Sequence, residues 1–277
     1  MKKKTPAASY IYSALVFIFL YAPIAVLIVF SFNSGKSMSV FSGFSLHWYK
    51  ELFNDRATLD AFKNTLIIAV LSSLISTVMG TAAATAIYNY KSRLLKKTVM
   101  TVTNIPMMNP EIVTGISMML LFVFIGTALG KKDSLGFGTV LIAHITFELP
   151  YVILNVLPKL KQTDPNLFEA AQDLGCTPLK AYFKVVLPAV MSGVVSGLVM
   201  AFTLSVDDFI ISYFVSGPTS QTLPIRIFAM TKKRVTPDMY ALSTLIFVAI
   251  LALLIISNLI GSKDERAKKV KKGGAKQ

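Results

Sequence analysis

Six stretches of the chain are apolar over about the twenty residues that a helix needs to cross a bilayer. They run roughly from Tyr10 to Phe32, Thr65 to Tyr88, Ile112 to Leu129, Phe137 to Leu157, Val185 to Val206 and Tyr240 to Ile260. Their length predicts helices, because a membrane barrel would need short strands of alternating polarity. Between the fourth and fifth spans lies DPNLFEAAQDLGCTPLKAYFKVVLP, Asp164 to Pro188, too polar for a bilayer and too patterned for a linker. Asp164 and Pro165 read as a helix start: the carboxylate accepts a free amide, and proline fills a position whose N–H has no partner anyway. Leu167, Phe168, Ala171 and Leu174 then recur at helical spacing and give a short helix one apolar face. Gly175 stops it, and Thr177 with Pro178 restarts a second helix by the same cap and proline, through Leu179, Tyr182 and Phe183. The prediction is helix, glycine elbow, helix. So short a helix is not stable alone, so its apolar face must lie against lipid headgroups or a partner.

The other polar positions are fewer. Residues 33–63 form a loop rich in aromatics, with an interfacial helix predicted from about Leu46 to Phe53. Span two is crowded with Ser72, Ser73, Ser76, Gly80 and alanines, small residues that let helix backbones approach closely. Ile105-Pro106-Met107-Met108-Asn109-Pro110-Glu111 carries two prolines and an acid at the edge of span three, either a broken helix walling a pathway or a loop before the span. Span four holds His144 and Glu148 four residues apart, on one helix face. Ionisable groups inside a span face the bundle interior, so the two either mark a pathway or simply pair with each other. Pro150 follows and loosens the same helix. Span five ends in Ser205-Val206-Asp207-Asp208-Phe209, where adjacent carboxylates repel unless a cation shares them. They are therefore candidates for an amine-binding or gating group, or else a water-exposed helix terminus.

Composition agrees with a membrane protein: 54% of the 277 residues are hydrophobic and 15% charged, and the mean hydropathy is +0.62. The net charge of +14 changes the picture only through its distribution. Alternating the loops puts 18 of the 28 Lys and Arg on the side of the termini and the elbow, and 10 on the other. The positive-inside rule thus places both termini and the elbow in the cytoplasm, and the basic tails beside anionic lipid rather than nucleic acid. Lys2, Lys3 and Lys4 precede an apolar run too long for a signal peptide, read as a retained first span. The single Cys176 excludes an internal disulfide. Gly126 to Lys131 fails as a phosphate loop, with three residues between its glycines and Lys132-Asp133 where Ser or Thr should follow. This segment is therefore not a nucleotide site.

Glu169-Ala170-Ala171, with Gly175 after three residues and then Val185, Leu187 and Pro188, resembles the EAA signature of ABC-importer permeases, Val185 standing where that family usually has Ile. The resemblance implies an all-α membrane protein of six transmembrane helices, with the MetI-like permease fold over 62–257. Residues 1–61 then supply the N-terminal tail, first helix and outer loop, and 258–277 the end of the last helix and a basic tail. About 164–183 would be the cytoplasmic coupling helix that sits in a cleft of an ATPase, with Glu169, Ala170, Ala171, Leu174 and Gly175 carrying the coupling. SVDDFIISYFVSGP, residues 205–218, and the HITFELPYVI run from His144 look most like the spermidine/putrescine branch of that family.

By this resemblance the chain is a transport subunit of the bacterial plasma membrane and not an enzyme, without cofactor or metal. Its partners would be a second homologous permease, two copies of a cytoplasmic ATPase, an extracytoplasmic polyamine-binding protein and lipid, with no nucleic acid. Glu111, Glu148, Asp207 and Asp208 are the acids that could accompany a polycation through low dielectric. Ferric iron is an alternative substrate. An ATP-independent cation transporter would share the buried acids but has no reason to carry the EAA signature. A membrane-embedded hydrolase would have only His144 and Glu148, with no positioned Ser or Cys nucleophile.

Overall fold

The computed structural model describes residues 7–35, 40–131, 133–233, 237–252 and 255. The helices are α1 (Ala7–Phe30), α2 (His47–Asn54), α3 (Arg56–Asn89), α4 (Arg93–Met108), α5 (Glu111–Ala128), α6 (Phe137–Gln162), α7 (Asn166–Asp173), α8 (Pro178–Ala181), α9 (Leu187–Asp207), α10 (Ile210–Val215) and α11 (Leu223–Lys233). They are followed by α12 (Pro237–Ala252). Among the described residues five helical stretches are long and apolar enough to span a membrane, and α12 is a shorter apolar helix. The predicted last span extends past Ala252, and both the basic tail and Asn258 lie outside the described residues.

The chain divides into two compact units, one of residues 1–59 and 227–252 and the other built around 60–226. In the first, α1 is apolar all round and buries none of its spanning window, as a lipid-facing helix should. The loop after it is fastened by Asn33. Its Nδ2 donates to the Val40 carbonyl at 2.9 Å, its Oδ1 accepts the Ser42 amide at 2.7 Å, and its own carbonyl accepts Trp48 Nε1–H at 2.7 Å. The interfacial helix predicted from the aromatics is α2, with Trp48 and Leu52 buried.

In the second unit α6 is the central helix. Val152, Ile153, Val156, Leu157 and Leu160 pack with Ala84 and Ile87 of α3 and Val190 and Ala201 of α9. Val140, Ala143 and Phe147 pack with Ile68 of α3 and with Ile211 and Val215 of α10. The close approach depends on missing side chains. A Cβ on Gly80 would stand 2.6 Å from Val152 Cγ1, and one on Gly193 would stand 2.9 Å from the Asn155 carbonyl oxygen. Pro150 does not interrupt α6, which runs unbroken from Phe137 to Gln162.

Two local expectations are corrected. Ile105 to Glu111 is not simply a loop before the span, and the helix is not broken at Pro106: that residue sits inside α4, a separate helix with no buried residue that precedes span three. The break falls at Asn109, whose extended backbone (ψ 140) is what the following Pro110 favours. Thr177 makes no side-chain cap on α8; the short helix starts instead with the Ala181 amide bonded to the Thr177 carbonyl at 2.8 Å.

Candidate functional site

Two places in the second unit gather the sequence-predicted residues. The first is the elbow. Asp164 Oδ1 accepts the Asn166 amide at 2.9 Å and starts α7. Gly175 takes φ +85, a left-handed conformation that disfavours any residue with a Cβ. The Cys176 amide bonds back to the Ala171 carbonyl at 3.1 Å and the Gly175 amide to Gln172 at 2.8 Å, closing the helix end. After α8 the chain makes a π turn over Tyr182–Val186, with the Leu187 amide bonded to the Tyr182 carbonyl five residues back. Pro188 follows at once, at the start of α9, and has no N–H for the Lys184 carbonyl, so the regular α bond is missing where the π turn lies.

Of the predicted coupling residues, Ala171 is buried, and Glu169, Ala170, Leu174 and Gly175 are exposed. The apolar face foreseen from spacing is thus only half covered. Phe168 is half-buried, while Leu174 is 87% exposed, Leu179 73% and Phe183 59%. A cavity of about 290 Å³ lies behind the elbow, lined by Thr85, Tyr88, Phe168, Glu169, Tyr182 and Val186 among others. Tyr182 OH and Thr85 Oγ1 share a 3.1 Å hydrogen bond that ties the π turn to α3.

The second place is a polar cluster inside the bundle. Glu148 is fully buried, and its carboxylate accepts Ser72 Oγ at 2.6 Å and Ser76 Oγ at 2.8 Å, both from α3. Ser72 Oγ lies 3.2 Å from Ser205 Oγ of α9, which is hydrogen-bonded at 2.6 Å to His144 Nδ1. The other ring nitrogen, Nε2, is hydrogen-bonded to Ser212 Oγ of α10 at 2.9 Å and lies 3.3 Å from Asp208 Oδ2. Asp208 also accepts the amides of Ile211 at 3.2 Å and Ser212 at 2.7 Å. His144 and Glu148 therefore do not form the mutual pair that their spacing allows. Glu148 is occupied by α3 and His144 by α9 and α10, and the path between them runs through Ser205 and Ser72.

The four acids divide. Glu148 and Asp208 are buried and partnered, while Asp207 and Glu111 are exposed. Glu111 is the acid in the first turn of α5. Ser72, Ser76, Ser205 and Ser212 were not singled out by sequence as polar partners. Span two reads as a packing face, and its serines gain their second role only from the carboxylate opposite.

Residues 76–262 match the family model described as binding-protein-dependent transport system inner membrane component. The chain belongs to this family. As a family member it is a multi-pass inner-membrane component of an ABC transport assembly. It is 40% identical over 245 residues to the spermidine/putrescine transport system permease protein PotC of Escherichia coli K12, covering 88% of this chain and 90% of that one. It is 39% identical to PotC of Haemophilus influenzae, over 90% and 94% of the two chains. It is also 39% identical to the putrescine transport system permease protein PotI of Escherichia coli K12, over 84% and 83%. Among solved structures it resembles a bacterial ABC transporter for import of the polysaccharide alginate, with a TM-score of 0.72 at 18% identity over 92% of this chain and 94% of that one. The MetNI methionine ABC transporter matches with a TM-score of 0.57 at 18% identity, over 74% and 94%. These two likenesses show that the transport component has the MetI-like permease fold.

Proposed function

We propose that this chain is a permease subunit of an ATP-driven importer that carries polyamines, spermidine or putrescine, into the cell. The observation that carries the reading is the 39–40% identity, over most of the chain, to permeases named for those substrates. It pairs with a second homologous permease, two ATPase copies and an extracytoplasmic polyamine-binding protein, and both termini and the elbow are cytoplasmic.

The elbow is the ATPase-docking element. Its exposed Leu174, Leu179 and Phe183 offer apolar area to a partner cleft, Ala170 lets that partner approach closely, Ala171 seats α7 on the rest of the chain, and Glu169 is a polar anchor. Gly175 fixes the angle between α7 and α8. When ATP closes the ATPase pair, movement of the elbow is passed through the π turn into α9, which begins where that turn ends. The bundle then alternates between two discrete arrangements, open outward to receive substrate and open inward to release it.

Along the pathway the four acids take two roles. Asp207 and Glu111 are exposed carboxylates that meet the ammonium groups, and Glu148 and Asp208 hold the wall behind them. A polyammonium ion needs such partners because a bare charge in low dielectric is expensive.

The test is reconstitution of the chain with its partner permease, ATPase and binding protein in vesicles. ATP-dependent uptake of labelled putrescine or spermidine is expected, with Asp207→Asn reducing it about tenfold or more, the scale of a lost charge contact. Uptake of ferric iron in place of polyamine, or uptake that persists without the ATPase, would overturn the reading.

A further inference from the structure

Asp207 and Asp208 are consecutive, yet one is exposed and the other is 8% exposed. α9 ends at Asp207, the backbone at Asp208 turns extended (φ −63, ψ 119), and α10 begins at Ile210. Such a break within a bundle leaves two helix ends that nothing covalent holds at a fixed angle. His144 of α6 reaches both. Its Nδ1 is bonded to Ser205, on the last turn of α9, and its Nε2 to Ser212, on the first turn of α10. Nε2 also stands 3.3 Å from Asp208 Oδ2, and the ring is 1% exposed.

We propose that His144 is a positioning residue for transport. By clasping Asp208 across the break between α9 and α10, it withdraws one carboxylate and leaves Asp207 as the member of the tandem that meets a cationic substrate. The inference rests on the reading of the pathway as one for polyamines.

The physical reason is that a transport site must bind strongly enough to admit the ion and weakly enough to release it. Two bare carboxylates side by side repel each other when empty and grip an ammonium group too tightly when filled. Withdrawing Asp208 removes both problems. The Ile211 and Ser212 amides donate to it and the imidazole Nε2 stands 3.3 Å from its Oδ2, so its charge is met inside the wall. Glu148 supports the clasp at one remove: it fixes Ser72, which lies against Ser205, which fixes the Nδ1 side of the ring.

The experiment uses the complete assembly in vesicles and reads the concentration dependence of putrescine uptake. His144→Leu removes both nitrogens at similar volume. It is expected to lower maximal uptake about tenfold and to lower the apparent KM, because Asp208, held then only by the Ile211 and Ser212 amides, adds a second charge to the site. Adding Asp208→Asn to His144→Leu is expected to return uptake to the level of Asp208→Asn alone. His144→Gln, which keeps one N–H donor able to reach Asp208, is expected to stay within about threefold of wild type.

A double variant no better than His144→Leu, or a His144→Leu variant with unchanged KM and maximal uptake, overturns the proposal. Should His144→Leu not assemble, His144→Asn replaces it: its shorter amide stops short of Asp208, so it must show the lowered KM while His144→Gln does not. Equal behaviour of the two overturns the proposal. A wild-type assembly that carries no polyamine would sink the function proposed above without touching the clasp. The clasp is then read from melting of the purified assembly, where additive effects of His144→Leu and Asp208→Asn overturn it and non-additive effects uphold it.

Discussion

Ser72 Oγ donates a 2.6 Å hydrogen bond to Glu148 Oε1, and both side chains are fully buried. With Ser76 on the second oxygen, one helix supplies donors to both sides of a carboxylate carried by another. In a bilayer, where no water can replace a lost donor, this fixes the rotation of α3 about its axis relative to α6.

Ser72→Ala and Ser76→Ala should each destabilise the fold by about 1–3 kcal/mol, because each leaves a buried oxygen unsatisfied. Glu148→Gln should be milder than the double serine variant, since an amide can still bond to one hydroxyl and accept from the other. Thermal denaturation of the purified protein in lipid discs checks the ranking, and a double serine variant as stable as wild type would remove the clamp.

Gly80→Ala should destabilise by about 1–3 kcal/mol through overpacking, because its Cβ would stand 2.6 Å from Val152 Cγ1 and 2.7 Å from Val152 Cβ. Val152→Ala in the same chain should recover part of the loss. Gly138→Ala is the control: nothing lies within 4 Å of its added carbon, and the variant should melt at or slightly above wild type.

At Gly175 the problem is conformational, since φ is +85 and nothing lies within 4 Å of an added Cβ. Gly175→Ala should strain the elbow by roughly 1–2 kcal/mol, and Gly175→Asn by less because Asn visits this region more readily. Gly175→Asp adds a charge to the proposed docking surface and should abolish uptake while membrane insertion stays normal. Uptake and immunoblot of membranes from the same cells separate the two effects.

Leu174→Ser, Leu179→Ser and Phe183→Ser replace side chains that are largely exposed, so the melting temperature of the isolated chain should hardly move. Substrate-stimulated ATPase activity of the assembly should fall at least several-fold. Unchanged stimulation in the triple variant would mean that the elbow docks through other residues.

Much of this was legible in the chain. Runs of apolar residues announce spanning helices because a bilayer forces every backbone group to be satisfied within its own segment. The elbow could be read from Asp164, Pro165 and Gly175, because caps, prolines and glycines act through their own backbone. α4 was hidden: none of its residues is fully buried, and its end, from Ile105 to Glu111, could be read as a broken helix or as a loop.

Local patterning also put His144 and Glu148 on one face of one helix, and Asp207 beside Asp208. It left open which of these acids would be buried, and with what. Periodicity gives the direction in which a side chain points from its own helix, but a hydrogen bond depends on what another helix places opposite. Only the packing of α3, α9 and α10 around α6 gave Glu148 its serines, gave His144 its place across the break and gave Asp208 its partners, leaving Asp207 exposed.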